Sequence, residues 1–262
     1  MFTIKTFCVG LLILIFSSGL IFSQYPEQSF LSDIKINSGI GLDYFSRTVR
    51  AKGEDTTNRI KCFFLTLNTE FEINDGFSIT AILGYSISNF NSMTFRNIPV
   101  SLELDVGSIG GILGGLNLNM NILRLRNFEM DISGRIYYSM GTKQTWDIPG
   151  LSVKGTAEGK PSLLTVQAGP VFTYTGFAYF LPYVNFSYNK LWGKFKMDET
   201  IQDLTGSEEK ILTGRSDLSL SVGFIYEISR NLTVKAEGIL MPHSGFKNSD
   251  FGSMFRLIYA FN

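Results

Sequence analysis

The chain carries few side chains able to do bond-making chemistry. Its 262 residues include one histidine, His243, and two cysteines, Cys8 and Cys62. A histidine activates a water or a hydroxyl only with a partner in hydrogen-bond reach, and along a strand the residue two positions away shares its face. Position 241 is Met, so no Asp-x-His pair forms, and position 245 is Gly, so no His-x-Ser pair forms. Ser244 is adjacent to His243 and would point to the opposite face. His243 follows Pro242 and reads as a loop residue. No catalytic residue, cofactor or metal site is expected, and a hydrolase is the disfavoured alternative. So few cysteines build neither a disulfide framework nor a cysteine-based zinc site. The 23 basic and 23 acidic residues cancel, so nothing points to nucleic acid.

Two stretches concentrate charge. Residues 47–61 hold Arg47, Arg50, Lys52, Arg59 and Lys61 with Glu54 and Asp55. Residues 198–210 hold Asp198, Glu199, Asp203, Glu208 and Glu209. Calcium needs six or more converging oxygens, so the simpler expectation is solvated loops; a surface contact bridged by divalent ions, or adhesion, is the sharper one.

The remaining charges fall at every second position of apolar segments, which defines the elements that hold them. From Ser216 to Ile228, Leu218, Leu220, Val222, Phe224, Tyr226 and Ile228 share one face, with Ser219, Ser221, Gly223, Ile225 and Glu227 on the other. Strand side chains point alternately to opposite faces, so this is a strand with one greasy side. Nine further segments behave alike: 34–45, 60–73, 77–90, 110–123, 128–140, 162–174, 178–192, 232–240 and 251–261. Most are longer than the five or six residues usual in soluble strands and match the roughly 9–11 that cross a bilayer. The apolar faces carry aromatics near their ends: Phe71, Phe77, Phe128, Tyr174, Tyr226 and Tyr259 toward one rim, Tyr44, Phe63, Tyr85, Tyr138, Tyr188 and Trp192 toward the other. Two aromatic girdles around an apolar band are expected of a membrane barrel.

The N-terminus begins with Lys5, an apolar stretch from Val9 to Phe22, and Ser23 at a plausible cleavage point before Gln24. This is the anatomy of a secretory signal peptide over residues 1–23, too short for a spanning helix. Residues 24–262 form the barrel domain. The connections alternate short (74–76, 124–127, 175–177, 229–231) and long (46–59, 91–109, 141–161, 193–215, 241–250). Short periplasmic turns and longer external loops place both termini in the periplasm. Asn74-Asp75-Gly76 suits a tight turn through residues that tolerate positive φ. Pro170 and Pro182 fall within strands and predict bulges. Val100 to Val106 alternates by itself and is either an extension above the membrane or an extra strand.

The chain ends Leu257-Ile258-Tyr259-Ala260-Phe261-Asn262. Together with the signal peptide and the alternation, this resembles the broad superfamily of small outer-membrane β-barrel proteins of Gram-negative bacteria, across some 230 residues of pattern. Asn262 departs from the terminal aromatic of that superfamily's assembly signal by one residue. The resemblance implies an all-β fold, a transmembrane antiparallel up-and-down barrel of about ten strands. It implies outer-membrane lipids, lipopolysaccharide and the barrel-assembly machinery, through the last strand, as partners.

The polar face then lines a lumen that holds Lys35, Asp43, Glu70, Glu72, Glu129, Asp131, Arg135, Lys235, Glu237 and Arg256. Ten strands sit near the lower limit for leaving any interior space, so these charges are expected to pair into a polar plug. The function expected is structural or surface-interacting, and the alternative is a small pore or transporter for small or apolar solutes. The topology is testable. Thr57→Cys and Ser207→Cys, made with Cys62→Ser because Cys62 lies near the outer rim, should react with an impermeant thiol reagent on intact cells. Asp75→Cys should stay silent; its labelling beside silent loops would invert the barrel.

Overall fold

A computed structural model of the protein describes residues 34–90, 92–104, 107–148, 152–243 and 249–261. The segment expected to be a signal peptide, with Cys8, the neighbours Ser244 and Gly245, and the terminal Asn262 lie outside the described residues. Fourteen strands follow one another: β1 (Lys35–Ala51), β2 (Thr57–Asn74), β3 (Phe77–Asn89), β4 (Thr94–Phe95), β5 (Leu102–Glu103), β6 (Ser108–Arg124), β7 (Phe128–Gly141), β8 (Gln144–Asp147), β9 (Gly155–Tyr174), β10 (Phe180–Ile201), β11 (Leu204–Gly214), β12 (Leu218–Ser229), β13 (Leu232–Pro242) and β14 (Ser249–Phe261).

Ten of them, β1, β2, β3, β6, β7, β9, β10, β12, β13 and β14, form one antiparallel up-and-down ring in which β14 closes on β1. All ten segments expected from alternation are present. Their apolar faces point outward: Ile40, Leu67, Leu83, Leu116, Phe186 and Val222 are 47–65% exposed. A band of this kind is tolerable only against lipid. The rims carry the expected aromatics. Phe128 and Tyr174 are cross-strand partners with ring centroids 5.0 Å apart, and Tyr174 stacks edge-on with Phe177 at 5.1 Å. At the other rim Tyr44 faces Phe63 across β1 and β2, and Trp192 faces Leu164 across β10 and β9.

Beyond that second rim the strands continue and their polarity inverts. On β10 the inward residues change from Asn185, Ser187 and Asn189 to Leu191, Phe195 and Met197, while Lys194 and Lys196 now face outward. On β2 the inward set changes from Glu70, Asn68 and Thr66 to Phe64, Cys62 and Ile60, with Lys61 and Arg59 outside. Where water replaces lipid outside, the interior becomes an ordinary apolar core. Cys62 is consequently buried, not poised to label at the rim.

The stretches expected as long loops are mostly strand. Residues 193–215 complete β10 and turn back as β11, which pairs β10 on one side and β1 on the other, Val49 opposite Gly214. This closes a second ring of eight strands, with β11 standing where β12, β13 and β14 stand below. Residues 155–161 extend β9 against the upper part of β10, with β8 at its edge. Residues 94–103 supply the small β4–β5 hairpin, so the described part of the Val100–Val106 stretch, up to Leu104, pairs outside the barrel ring, and its last two residues lie outside the described residues. Eight strands leave just enough room for side chains, and these are filled. Phe90, Met93, Phe95, Ile98 and Leu104 pack with Phe195, Met197, Leu212, Ile60 and Val49 in one buried cluster. Phe90 and Phe95 stand 5.2 and 5.5 Å from the Phe195 ring. The absence of a side chain at Gly159 makes room, since a Cβ there would come within 2.9 Å of Phe195.

Three local expectations are corrected. None of Asn74, Asp75 and Gly76 takes positive φ; the turn is held instead by the Asn74 side chain, whose Oδ1 accepts from Gly76 N at 2.9 Å. Neither proline makes a bulge. Pro170 keeps register with Ile132 on β7 and only interrupts the ladder toward β10, and Pro182 pairs in register with Phe224. The bulges lie instead beside the short turns, at Glu72/Asn74, Asn121/Leu123 and Glu227/Ser229. Phe195→Ala should cost about 3–5 kcal/mol of stability, as large-to-small changes at a packed aromatic do. Urea titration in detergent micelles, followed by the heat-modifiable gel mobility of closed barrels, measures it; a loss near zero would mean that the upper ring is not a packed core.

Candidate functional site

Below the apolar cluster the ten-stranded ring stays hollow. Its inward positions bear Asn, Ser, Thr and Gly between the charged residues, so they leave a cavity of about 530 Å³. The lining runs to the Asn74-Asp75-Gly76 turn, so the cavity opens at the short-turn end. Eight of the ten residues expected in the lumen line it: Glu70 and Glu72 from β2, Glu129, Asp131 and Arg135 from β7, Lys235 and Glu237 from β13, and Arg256 from β14. Asp43 lies deeper, in a gap of about 30 Å³ that also touches Phe45, Arg47, Arg135 and Tyr137. Lys35 is exposed at the start of β1, opposite Glu72 in register, and does not line the cavity.

The charges are partly sorted by depth. Near the mouth the carboxylates are held mostly by neutral donors. Asn37 Nδ2 donates to Glu72 Oε1 at 2.7 Å and to Glu70 Oε2 at 3.3 Å, and Ser78 donates to Glu70 at 2.8 Å. Asn121 donates to Asp131 at 2.8 Å across neighbouring strands, and Glu129 pairs with Arg124 at 2.7 Å. Arg135 lies four residues beyond Asp131 on the same face, about 13 Å further in. Lys235 and Arg256 are direct cross-strand partners. Tyr183 donates its hydroxyl to Glu237 at 2.8 Å, and the Lys235 ammonium sits 4.7 Å from the Tyr183 ring centre. Arg256 approaches Asp43 at 4.0 Å. A fully paired plug is therefore corrected to a hollow, with an acidic mouth and a floor where cations gather.

Sequence inspection overlooked three participants. Tyr183 occupies the inward phase of β10 between Leu181 and Asn185, and an aromatic out of phase with its strand was the available signal. Arg47, assigned to a loop, is 2% exposed on the inward face of β1. It donates to Asn189 Oδ1 at 2.8 Å and to the Ser216 carbonyl at 2.6 Å, tying β1 to β10 and to the start of β12. Asp250 is fully buried and accepts from Thr48 N and Thr48 Oγ1 at 2.9 and 2.8 Å. His243 Nε2 lies 2.9 Å from Asp250 Oδ2, outside hydrogen-bonding alignment, and neither residue lines the cavity.

The acidic run 198–210 has a structural task. Glu199 Oε2 accepts from Val100 N at 3.1 Å, and Glu208 Oε2 accepts from Arg96 N and Asn97 N at 2.8 and 2.7 Å. Lys210 pairs with Glu54, linking β11 to the β1–β2 connection. Among the described residues no cluster of His, Cys, Asp or Glu has the arrangement of a metal site.

A closed ten-stranded antiparallel ring with an apolar outer belt between two aromatic rims is a membrane-spanning β-barrel, the fold of outer-membrane β-barrel proteins. No family model and no curated protein matches the chain. Among solved structures it is similar to the outer membrane protease OmpT from Escherichia coli, at 13% identity over 90% of this chain and 99% of that one, with a TM-score of 0.46. It is also similar to an outer membrane channel from Pseudomonas putida F1, at 8% identity over 91% and 100%, TM-score 0.43. Ail, the attachment invasion locus protein of Yersinia pestis, aligns at 13% identity over 86% and 98%, TM-score 0.30. A protease, a channel and an attachment protein at such distances select no function for this chain.

Tyr183→Phe should cost about 1–3 kcal/mol, because it leaves the buried Glu237 carboxylate without its donor. Urea titration of the folded fraction measures it; a stability unchanged from wild type would mean that water already satisfies Glu237.

Proposed function

We propose that the protein is a non-conducting, non-enzymatic barrel of the outer membrane with a structural and surface-interaction role, its lumen stoppered at the long-loop end and both termini in the periplasm. The single observation that carries this is the apolar stopper. Phe90, Met93, Phe95, Ile98 and Leu104 pack on the inward side chains of the eight-stranded ring, and beneath them Phe45, Phe64 and Tyr137 stack edge to face at 5.4 and 5.5 Å. An ion crossing that region would have to shed its hydration among packed aromatic and aliphatic side chains. The orientation rests on the short turns at one end and the extended β10–β11 head at the other.

Lipids take the exposed belt. Lipopolysaccharide is the partner for the cations just beyond the outer aromatic rim, where Arg59 and Lys61 follow Phe63 on β2 and Lys194 and Lys196 follow Trp192 on β10. The assembly machinery takes β14, whose Leu257, Tyr259 and Phe261 alternate outward. The absence of catalysis is supported by the burial of His243 away from the cavity and by the commitment of Asp250 to Thr48.

Planar-bilayer recording of the refolded protein tests the proposal, with insertion verified by gel mobility of the recovered membrane. Silent bilayers are expected. A steady ion-selective current would replace this proposal with that of a small pore.

A further inference from the structure

We propose that the floor of the turn-side cavity binds a small solute through its carboxylate or phosphate group, admitted from the short-turn end. Three cations converge there from two walls. Arg256 is only 6% exposed, and its Nε and Nη2 have no hydrogen-bond partner. Its nearest carboxylate, Asp43, stands 4.0 Å away, beyond hydrogen-bonding distance. Lys235 is its direct partner across the β13–β14 ladder. Arg135 reaches over from β7, with Nη2 3.6 Å from the Sδ of Met254, which precedes Arg256 by one inward position; the Arg135 Nε is also unpartnered.

The anions at hand do not use up these donors. Glu237 is bonded by Tyr183, and Glu70, toward the mouth, by Asn37 and Ser78. Asp43 and Glu237 stand near these cations and Glu70 acts on Lys235 from the mouth side, yet guanidinium N–H groups are left over. Buried donors without partners are costly, and a planar guanidinium is matched in geometry by the paired oxygens of a carboxylate or phosphate. The space is adequate, since a cavity of about 530 Å³ lies within the range of small-molecule sites. The floor is also kept clear. A Cβ on Gly41 would come 2.5 Å from Thr66 Oγ1 and 3.3 Å from Arg256 Cγ, so glycine there leaves the Arg256 side chain its path. The acceptors nearer the mouth, Glu72 and Asp131, favour a solute whose other end carries hydroxyl or ammonium donors.

The site does not depend on the stopper, because entry is from the opposite end. Titration calorimetry of the folded barrel in nonionic micelles at low ionic strength, with inorganic phosphate and separately with glutamate, tests it. One-site saturable binding of at least one of them is expected, and the tighter of the two identifies the anionic group. Arg256→Met should weaken binding about tenfold or more, as loss of a charged hydrogen bond does. Lys160→Met, exposed on β9, should leave it unchanged. Should Arg256→Met fail to show heat-modifiable mobility, Lys235→Met carries the same expectation. No saturable binding of either anion by the folded wild type would overturn the proposal. So would unchanged affinity in the floor variants, or an equal loss in Lys160→Met.

Discussion

A strand in hydrocarbon has no water to bond its backbone, so the sheet must close on itself, and every other feature of this molecule answers to that closure. Below the outer aromatic rim the closing pair is β14 on β1, in register from Ile36 opposite Phe261 to Ser46 opposite Phe251. Above the rim β14 has ended, and β1 would present an open edge. The β10–β11 hairpin folds over to take that place, with Val49 to Ala51 of β1 paired to Gly214 to Leu212. Arg47 sits at the changeover. Its guanidinium bonds Asn189 and Ser216, stitching the point at which three strands leave the ring and one enters.

The number of strands in each ring then sets what its interior can be. Eight strands admit side chains and little else; ten leave a lumen slightly wider than two facing side chains require. The solvent outside sets the polarity. Against lipid the outward face must be apolar, which frees the inward face to be polar. Against water the requirement reverses, and the same unbroken β10 carries Phe186 and Tyr188 outward low down but Lys194 and Lys196 outward higher up. The level at which β2 and β10 change phase marks the edge of the bilayer on the side of the extended strands more sharply than the aromatics do.

This also explains what could be read from residues alone. The ten barrel strands, their facing and the turn end were legible because membrane alternation is regular and one-signed: apolar means out. The upper ring was not legible by that rule. In Leu191-Trp192-Gly193-Lys194-Phe195-Lys196-Met197-Asp198 the period of two persists while its phase reverses, so a search for a continuing apolar face ends at Trp192 and hands the rest to a loop. Glu199 and Glu208 were misjudged for a related reason. Their partners are backbone N–H groups of residues 96–100, more than a hundred positions away for Glu208, and no local spacing announces them. The lumen charges were legible as a set because inward phase alone selects them. Their pairing was not, because it depends on which walls face each other across the ring and on Tyr183 taking Glu237 away from Arg256.

The contrast between the two rings bears on why the lower one is hollow. A barrel that needed only rigidity could fill ten strands as it fills eight, by placing large side chains inward, and a packed interior costs less than unpaired buried charge. The inward positions instead carry Gly39, Gly41, Asn68, Thr80, Asn117, Asn119 and Ser133, none of them large, around a floor with incompletely bonded guanidinium groups. Small residues around the wall keep a volume open above long cations whose guanidinium groups are incompletely bonded. Width permits a cavity in a ten-stranded ring, but only the choice of these side chains maintains one, and it does so on the side of the stopper that the short turns leave open.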